Sequence, residues 1–281
     1  MKSDSGERLV LDSPASSREE HLNRLVHLAA YEFAVSYCRE HRVLDLGTGT
    51  GYGAARVAEV AREVVAVDIC EETLQWAGAR FQKGNLKFEK IQSEAPLPFA
   101  SESFDTVLSF QVIEHVSDPM QQIREIRRVL KPGGHLVLVT PNREVRLFPF
   151  QRPWNRWHPR EYEQEELRAM LASQFEQVVV KTMSGDASLI APELLRYRRL
   201  RWLTLPVTLP LWPHSWRVLG LTVLRGLQRS GRKFFGRSAG GPFQGDLSSI
   251  QICAGAFPAL NLVLIASRTP SNGSSEAEDA E

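Results

Sequence analysis

The stretch Val43-Leu-Asp-Leu-Gly-Thr-Gly-Thr-Gly-Tyr-Gly53 decides the fold of this chain. Its first four residues predict the end of a buried strand, and the alanine-rich segment after the glycines predicts a helix. Glycine permits positive φ and lets a ligand approach the backbone closely. A helix that begins directly after a strand offers free N–H groups to a polar or anionic ligand. The stretch therefore predicts a strand–turn–helix unit with a binding site at the end of the strand.

Three interpretations of this unit compete. It could be a tight turn without a ligand. Gly49-x-Gly51-x-x-Ala54 also fits the dinucleotide fingerprint of NAD-dependent dehydrogenases. Alternatively, Asp45-x-Gly47-x-Gly49-x-Gly51 resembles the first motif of class I S-adenosylmethionine (SAM) dependent methyltransferases. The rest of the chain has to decide between them.

Composition narrows the class of protein without identifying it. The 281 residues suffice for one domain, or for one domain with an insertion. A net charge of +1 gives no overall attraction to nucleic acid. The three cysteines lie far apart, which argues against a disulfide framework or a zinc site and favours a reducing cytoplasm. No signal peptide and no run of 18 apolar residues is visible, so we expect a cytoplasmic protein.

Strands and helices alternate after the glycine stretch. A second strand, 63–67, ends at Asp68, which lies 17 residues past Gly51. A carboxylate at that distance reaches a ribose diol in dinucleotide folds, and it could equally cap the next helix. Further elements are predicted as helices over 19–41, 52–62, 71–81 and 118–130, and as strands over 86–91, 104–110 and 135–140.

Several independent stretches then agree with one family. The chain resembles the class I SAM-dependent methyltransferases, in particular the bacterial type 11 group. The similarity covers about residues 40–142. The matching stretches are Val43 to Gly53, Val64 to Asp68, Leu97-Pro-Phe99, Ser103-Phe-Asp-Thr-Val107, Val112-Ile-Glu-His115, Leu130-Lys-Pro-Gly-Gly134 and Thr140-Pro-Asn142. Their order and spacing favour the methyltransferase interpretation over the dehydrogenase interpretation.

The resemblance implies an α/β, Rossmann-like, seven-stranded, mostly parallel sheet in the order 3-2-1-4-5-7-6, with strand 7 antiparallel. Residues 175–182 and 260–267 suit the last two strands. The predicted organisation is a mobile tail (1–20), a SAM-binding domain (21–184 and 258–268), an insertion (185–257) between strands 6 and 7, and a disordered acidic tail (269–281).

The insertion differs from the rest of the chain in composition. Arginines, tryptophans, leucines and prolines dominate it, and helical pieces are expected to break at Pro206, Pro210 and Pro213. Two interpretations remain open. Residues 189–237 could form a helical lid with solvated arginines, or a surface for an anionic or lipid-like acceptor or for the membrane interface. No nucleic-acid partner is expected, because no binding motif for one is present.

The resemblance also implies roles for individual residues. Asp45 and the backbone of Gly47, Gly49 and Gly51 would hold the methionine part of SAM. The other expected cofactor contacts are Asp68 to the ribose, Ile69 against adenine, Ser93 or Glu94 near the adenine amino group, and Phe110 and Gln111 near the methionine carboxylate and methyl group.

Two histidines are candidate general bases, because imidazole titrates near neutrality. His115 follows the fourth strand, and His158 lies in the loop after the fifth. Some quinone-biosynthesis O-methyltransferases have the motif Glu-x-x-Glu-His at the position that ends in His115 here, and they bind a metal through it. This chain has Gln111 where the first of those carboxylates would be, so no metal is expected. We predict methyl transfer from SAM to a small-molecule, lipid or glycan-precursor acceptor, with O-methylation favoured. The alternative is a non-catalytic SAM-binding protein.

Overall fold

The computed structural model describes residues 15–234, 243 and 245–270. Most of both predicted tails therefore lies outside the described residues. The helix α1 already begins at Arg18, so the predicted N-terminal tail of 1–20 extends too far. Ser17 caps this helix by accepting a hydrogen bond from the Glu20 amide. The cap satisfies one of the unpaired N–H groups of the first turn.

One mixed sheet organises the described residues. Its strand order is β3-β2-β1-β4-β5-β8-β6-β7. The first five strands in this order are parallel, whereas β8 runs antiparallel to both β5 and β6. The strands are β1 (Arg42–Leu46), β2 (Glu63–Asp68), β3 (Leu86–Lys90), β4 (Phe104–Phe110), β5 (Leu130–Pro141), β6 (Gln177–Gly185), β7 (Ile250–Cys253) and β8 (Asn261–Ser267).

The predicted α/β class and strand order are confirmed, with β8 in the place of strand 7. The prediction of seven strands is one short, because β7 pairs with β6 at the edge of the sheet. This strand lies inside 185–257, so that segment is not purely helical as predicted. The strand β7 was missed because it has only four residues of alternating burial and lies among polar and glycine-rich residues.

Helices cover both faces of the sheet. Buried side chains of α1, α2 and α7 form the core on one face, and those of α4 and α6 form the core on the other. The helices are α1 (Arg18–Ala34), α2 (Tyr52–Val57), α3 (Glu71–Arg80), α4 (Pro119–Val129), α5 (Arg143–Arg146), α6 (Gln164–Ala172), α7 (Ala187–Thr208) and α8 (His214–Phe234).

Helix α7 corrects the predicted break at Pro206. The helix continues through Pro206 and ends at Thr208. Its last turn is held from outside the helix: Gln151 Nε2 donates to Thr208 Oγ1 at 2.8 Å, and the Arg152 amide donates to the Thr208 carbonyl at 2.9 Å. These bonds offset the backbone hydrogen bond that proline cannot make. The turn after α7 contains Pro210 and Pro213, so the chain does leave the helical path there.

Candidate active site

A large cavity lies at the carboxyl ends of β1, β2 and β4. Its volume is about 1460 Å³. It extends from the glycine loop after β1, past the turn after β4, to the inner faces of α7 and α8. Open α/β sheets bind ligands at this edge. Eight of the ten predicted cofactor residues line it: Gly47, Gly49, Asp68, Ile69, Ser93, Glu94, Phe110 and Gln111.

The glycine loop owes its conformation to positive φ angles. Gly47 has φ 77°, and a Cβ there would lie 2.5 Å from Val112 Cγ2. Gly49 has φ 54°, but a Cβ there would meet nothing within 4 Å. The loop is tied to β2, because the Gly49 amide donates to Asp68 Oδ2 at 3.0 Å. Gly49 therefore presents bare backbone to the cavity, and Asp68 holds it in place.

Two of the predicted cofactor residues do not line the cavity. Asp45 is fully buried, and the Tyr31 hydroxyl lies 3.2 Å from both of its carboxylate oxygens. Burial raises the pKa of the Asp45 carboxyl to about 6, although the hydrogen bond from Tyr31 acts in the opposite direction. A Cβ at Gly51 would lie 2.7 Å from the Phe88 ring. In this structure Asp45 therefore contacts Tyr31 instead of lining the cavity, and Gly51 leaves room for the Phe88 ring of the strand β3.

The adenine end of the predicted site has an exposed apolar side chain. Ile69 is 54% exposed although it directly follows a buried strand, and it lies on the cavity wall.

At the other end of the predicted site, Gln111 has φ 56°, which is uncommon outside glycine. Its amide donates to the Val139 carbonyl at 2.8 Å, which fixes this conformation where β4 ends. Such backbone strain concentrates at ligand sites.

The turn after β4 carries the first candidate base. A short 3-10 helix, Ile113–His115, places Glu114 inward and His115 outward. Glu114 is fully buried, and the Thr140 hydroxyl donates to its Oε2 at 2.9 Å. Its Oε1 is buried and has no hydrogen-bond partner among the described residues. Burial raises the pKa of the Glu114 carboxyl above its usual range, although both neighbouring histidines act in the opposite direction.

The segment after α5 carries the second candidate base. His158 is 4% exposed, and its Nδ1 lies 2.9 Å from Glu161 Oε1. Glu161 is also bound by Arg146 through two hydrogen bonds, at 2.8 and 3.1 Å. Burial alone would raise the pKa of the Glu161 carboxyl, but Arg146 and His158 outweigh it and lower that pKa to about 2. Glu161 is therefore ionised, and it orients the His158 ring.

The two candidate bases lie side by side. The rings of His115 and His158 are 4.7 Å apart at 90°, and both residues line the cavity. Glu114 joins them: the three side chains offer potential metal-ligand atoms within 4.8 Å of one another. The expectation of no metal came from the residues of one turn. The segment after α5 brings His158 to the same place.

The predicted insertion forms one wall of the cavity. Glu193, Arg196, Tyr197, Leu200 and Leu203 of α7 recur at helical spacing and face it, and Leu221 and Leu224 of α8 add to the same wall. The buried Arg217 of α8 ties this wall to the His158 loop by donating to the Pro153 carbonyl at 2.7 Å. Sequence reasoning missed Tyr31, Arg146, Glu161 and Arg217. Arg217 lies 64 residues from Pro153, and Tyr31 and Arg146 lie 14 and 15 residues from their carboxylate partners. Glu161 lies only three residues after His158, and this spacing was a signal that could have found it.

Comparisons with known proteins agree with this geometry. Residues 44–138 match a family described as "Methyltransferase domain", of type 11. A probable SAM-dependent methyltransferase of Mycolicibacterium smegmatis is 37% identical over 166 residues, which are 59% of this chain and 62% of that protein. The ubiquinone biosynthesis O-methyltransferase of Aliivibrio fischeri is 34% identical over 39% of this chain and 47% of that protein. The matches thus span less than two thirds of these curated relatives.

Among solved structures, a SAM-dependent methyltransferase of Thermotoga maritima, described as a possible histamine N-methyltransferase, has a TM-score of 0.55. It is 18% identical and covers 88% of this chain and 90% of its own. At this identity the likeness concerns the fold alone. The family match therefore assigns residues 44–138 to a methyltransferase domain of type 11, and the fold agrees with that of SAM-dependent methyltransferases.

Proposed function

We propose that the chain transfers the methyl group of SAM to a hydroxyl oxygen of a small molecule, a lipid or a glycan precursor. The observation that supports this most is the continuity of the cavity. One space joins the glycine loop, the histidine pair and the inner face of α7. Its volume of about 1460 Å³ exceeds the roughly 300–1,000 Å³ of common ligand pockets, so cofactor and acceptor fit together.

The cofactor would occupy the half of the cavity at the glycine loop, which Gly47, Gly49, Asp68 and Ile69 line. There the backbone of the two glycines would hold the methionine part, Asp68 would bind the ribose, and Ile69 would pack on the adenine. Asp68 keeps its loop-holding bond to the Gly49 amide, so ribose binding and loop geometry depend on the same carboxylate. Asp45 acts through Tyr31 and the loop, because it is buried away from the cavity.

The acceptor occupies the half beneath α7. The histidine pair supplies proton-accepting nitrogens, and Leu200, Leu203, Leu221 and Leu224 supply an apolar wall. Methyl transfer requires the acceptor oxygen in line with the methyl–sulfur bond. The enzyme therefore contributes position and dehydration, together with help in removing the hydroxyl proton. His158, whose Nδ1 is bound to the ionised Glu161, is oriented for that help.

A methyl-transfer assay with labelled SAM tests this proposal. Acceptors bearing hydroxyl, amine or activated carbon groups are compared, and the methylated atom is located by mass spectrometry and NMR. We expect a hydroxyl product. His158→Gln should lower kcat by roughly 10²–10⁴-fold if the imidazole assists proton removal, with the Kd for SAM unchanged. Tight SAM binding without transfer to any acceptor, including host extracts, would favour a non-catalytic SAM-binding protein.

We further propose that the outer side of the insertion contacts an anionic membrane surface. No helix among the described residues is long and apolar enough to cross a membrane. Apolar side chains are nevertheless exposed on and beside α8: Leu211, Trp212, Trp216, Leu219 and Val223. Trp212 and Trp216 stack at 5.7 Å. The sequence between Glu193 and Asp246 contains no acidic residue but ten Arg and Lys. Tryptophan beside basic residues suits an anionic headgroup layer.

Vesicle sedimentation tests the membrane contact. Vesicles with anionic phosphatidylglycerol should bind the protein in a salt-sensitive manner, and phosphatidylcholine vesicles should bind it much more weakly. The double variant Trp216→Ala/Leu219→Ala should reduce binding at least tenfold. Val179→Ala is the matched control, because Val179 is an exposed apolar residue on β6. Equal binding of the double variant and the control would contradict this part of the proposal.

A further inference from the structure

The side chains of Glu114, His115 and His158 lie together at the boundary between the cofactor half and the acceptor half of the cavity. One ligand atom from each lies within 4.8 Å of the other two. All three residues line the cavity, so a group bound between them would face the acceptor. Glu114 and His158 are buried, whereas His115 is exposed.

Each of the three side chains already has one polar atom engaged on its outer side. Thr140 Oγ1 donates to Glu114 Oε2 at 2.9 Å. His115 Nδ1 lies 3.2 Å from the Trp157 carbonyl oxygen, and His158 Nδ1 lies 2.9 Å from Glu161 Oε1. Metal-binding histidines almost always donate their second N–H to a carbonyl or a carboxylate in this way. In the proposed site, Nε2 of both rings would be the ligand atom.

A buried oxygen without a partner points independently to a ligand. Glu114 is 0% exposed, and its Oε1 has no hydrogen-bond partner among the described residues. A buried carboxylate oxygen left unpaired costs free energy unless another group satisfies it. A cation between the carboxylate and the two imidazoles would do so.

We infer that Glu114, His115 and His158 bind one divalent first-row transition metal ion. Two imidazole nitrogens and one carboxylate oxygen suit Zn²⁺, Fe²⁺, Mn²⁺ or Co²⁺, whereas Mg²⁺ prefers oxygen ligands alone. Bonds of about 2.1 Å place two ligands on one ion at most about 4.2 Å apart. The three ligand atoms must therefore approach one another by about half an ångström when the ion binds.

The ion would deepen the proposed function, and this role rests on that proposal. A cation facing the acceptor lowers the pKa of a hydroxyl close to it, as zinc lowers that of water from 15.7 to about 7. The histidines would then assist loss of the hydroxyl proton as ligands, and the proton would leave to solvent through the open side of the cavity. Binding of the ion itself does not depend on methyl transfer.

The test measures metal binding directly on the full chain without an affinity tag. The protein is dialysed against a chelator, and then Zn²⁺, Mn²⁺ and Co²⁺ are titrated separately by calorimetry. Co²⁺ binding is also followed by its visible absorption. We expect one ion per chain with a Kd in the micromolar range or tighter. Glu114→Gln and His158→Gln, which keep side-chain size and hydrogen-bonding capacity, should each weaken binding at least 100-fold.

Two controls make the result decisive. His21→Gln removes a histidine that does not line the cavity and should leave metal affinity unchanged. Circular dichroism and SAM affinity show whether each variant is folded. If none of the three ions binds, or if Glu114→Gln and His158→Gln bind as tightly as the original chain, the inference is wrong. Metal-independent transfer that still requires His158 would overturn the role of the ion in methyl transfer, while leaving the proposed O-methylation intact.

Discussion

Replacing Arg217 by methionine should loosen the His158 loop without disturbing the cofactor loop. The Arg217 side chain is 1% exposed. It donates at 2.7 Å to the Pro153 carbonyl, and its contacts with the Asn155 and His158 carbonyls are long, at 3.4 to 3.5 Å. One short charge-assisted hydrogen bond contributes about 1.5–3 kcal/mol. Because methionine fills the space but donates nothing, we expect a loss of about 2–3 kcal/mol.

Thermal and urea unfolding measure this loss, which corresponds to a Tm lower by about 4–8 °C. The Kd for SAM should change less than twofold, whereas the KM for the acceptor should rise, because the loop carries His158. Arg198→Met is the matched control, since Arg198 lies exposed on α7 and should lose less than about 0.5 kcal/mol. Equal Tm and equal acceptor KM in the two variants would refute the reasoning.

Three further predictions concern the glycine loop, the buried acid beneath it and the acceptor wall. Gly51→Ala should destabilise the fold by about 2–4 kcal/mol, because its Cβ would lie 2.7 Å from Phe88 at φ 76°. Gly49→Ala, whose Cβ meets nothing within 4 Å, should cost less stability but weaken SAM binding more. The opposite order of the two variants in unfolding and in SAM calorimetry would contradict this prediction. The pKa of Asp45 is raised to about 6, so its protonated carboxyl stabilises the fold below its ordinary pKa of 3.8, and this contribution is lost as the pH rises to 6. In urea unfolding, Asp45→Asn should therefore gain stability relative to the original chain between pH 4 and 6. Parallel pH profiles of the two proteins would disprove this prediction. Leu203→Trp should narrow the acceptor half and raise the acceptor KM with SAM affinity unchanged, and a weakened Kd for SAM would show that Leu203 borders the cofactor instead.

The sequence by itself determined the part of the cavity where we propose that the cofactor binds. The strand–glycine loop–helix unit, Asp68 and the turn after β4 all depend on short-range patterns. Burial periodicity and positive φ depend on residues that are neighbours in the sequence, so local patterns predict them. The carboxyl ends of parallel strands meet at one edge of the sheet, so the predicted residues come together there. Eight of the ten predicted cofactor residues therefore line one cavity. The exceptions, Asp45 and Gly51, have side-chain environments set by Tyr31 and Phe88, which no local pattern reveals.

Only the tertiary structure decided the part of the cavity where we propose that the acceptor binds. His158 faces His115 because Arg217 of α8 holds the backbone of its loop, and because Glu161 and Arg146 orient its ring. Arg217 lies 64 residues from Pro153 and Arg146 lies 15 residues from Glu161, although Glu161 is only three residues from His158. The edge strand β7 and the continuation of α7 through Pro206 likewise depend on distant partners, in β6 and in Gln151. Long-range contacts of this kind leave no period or spacing in the sequence, because chain folding alone brings their members together.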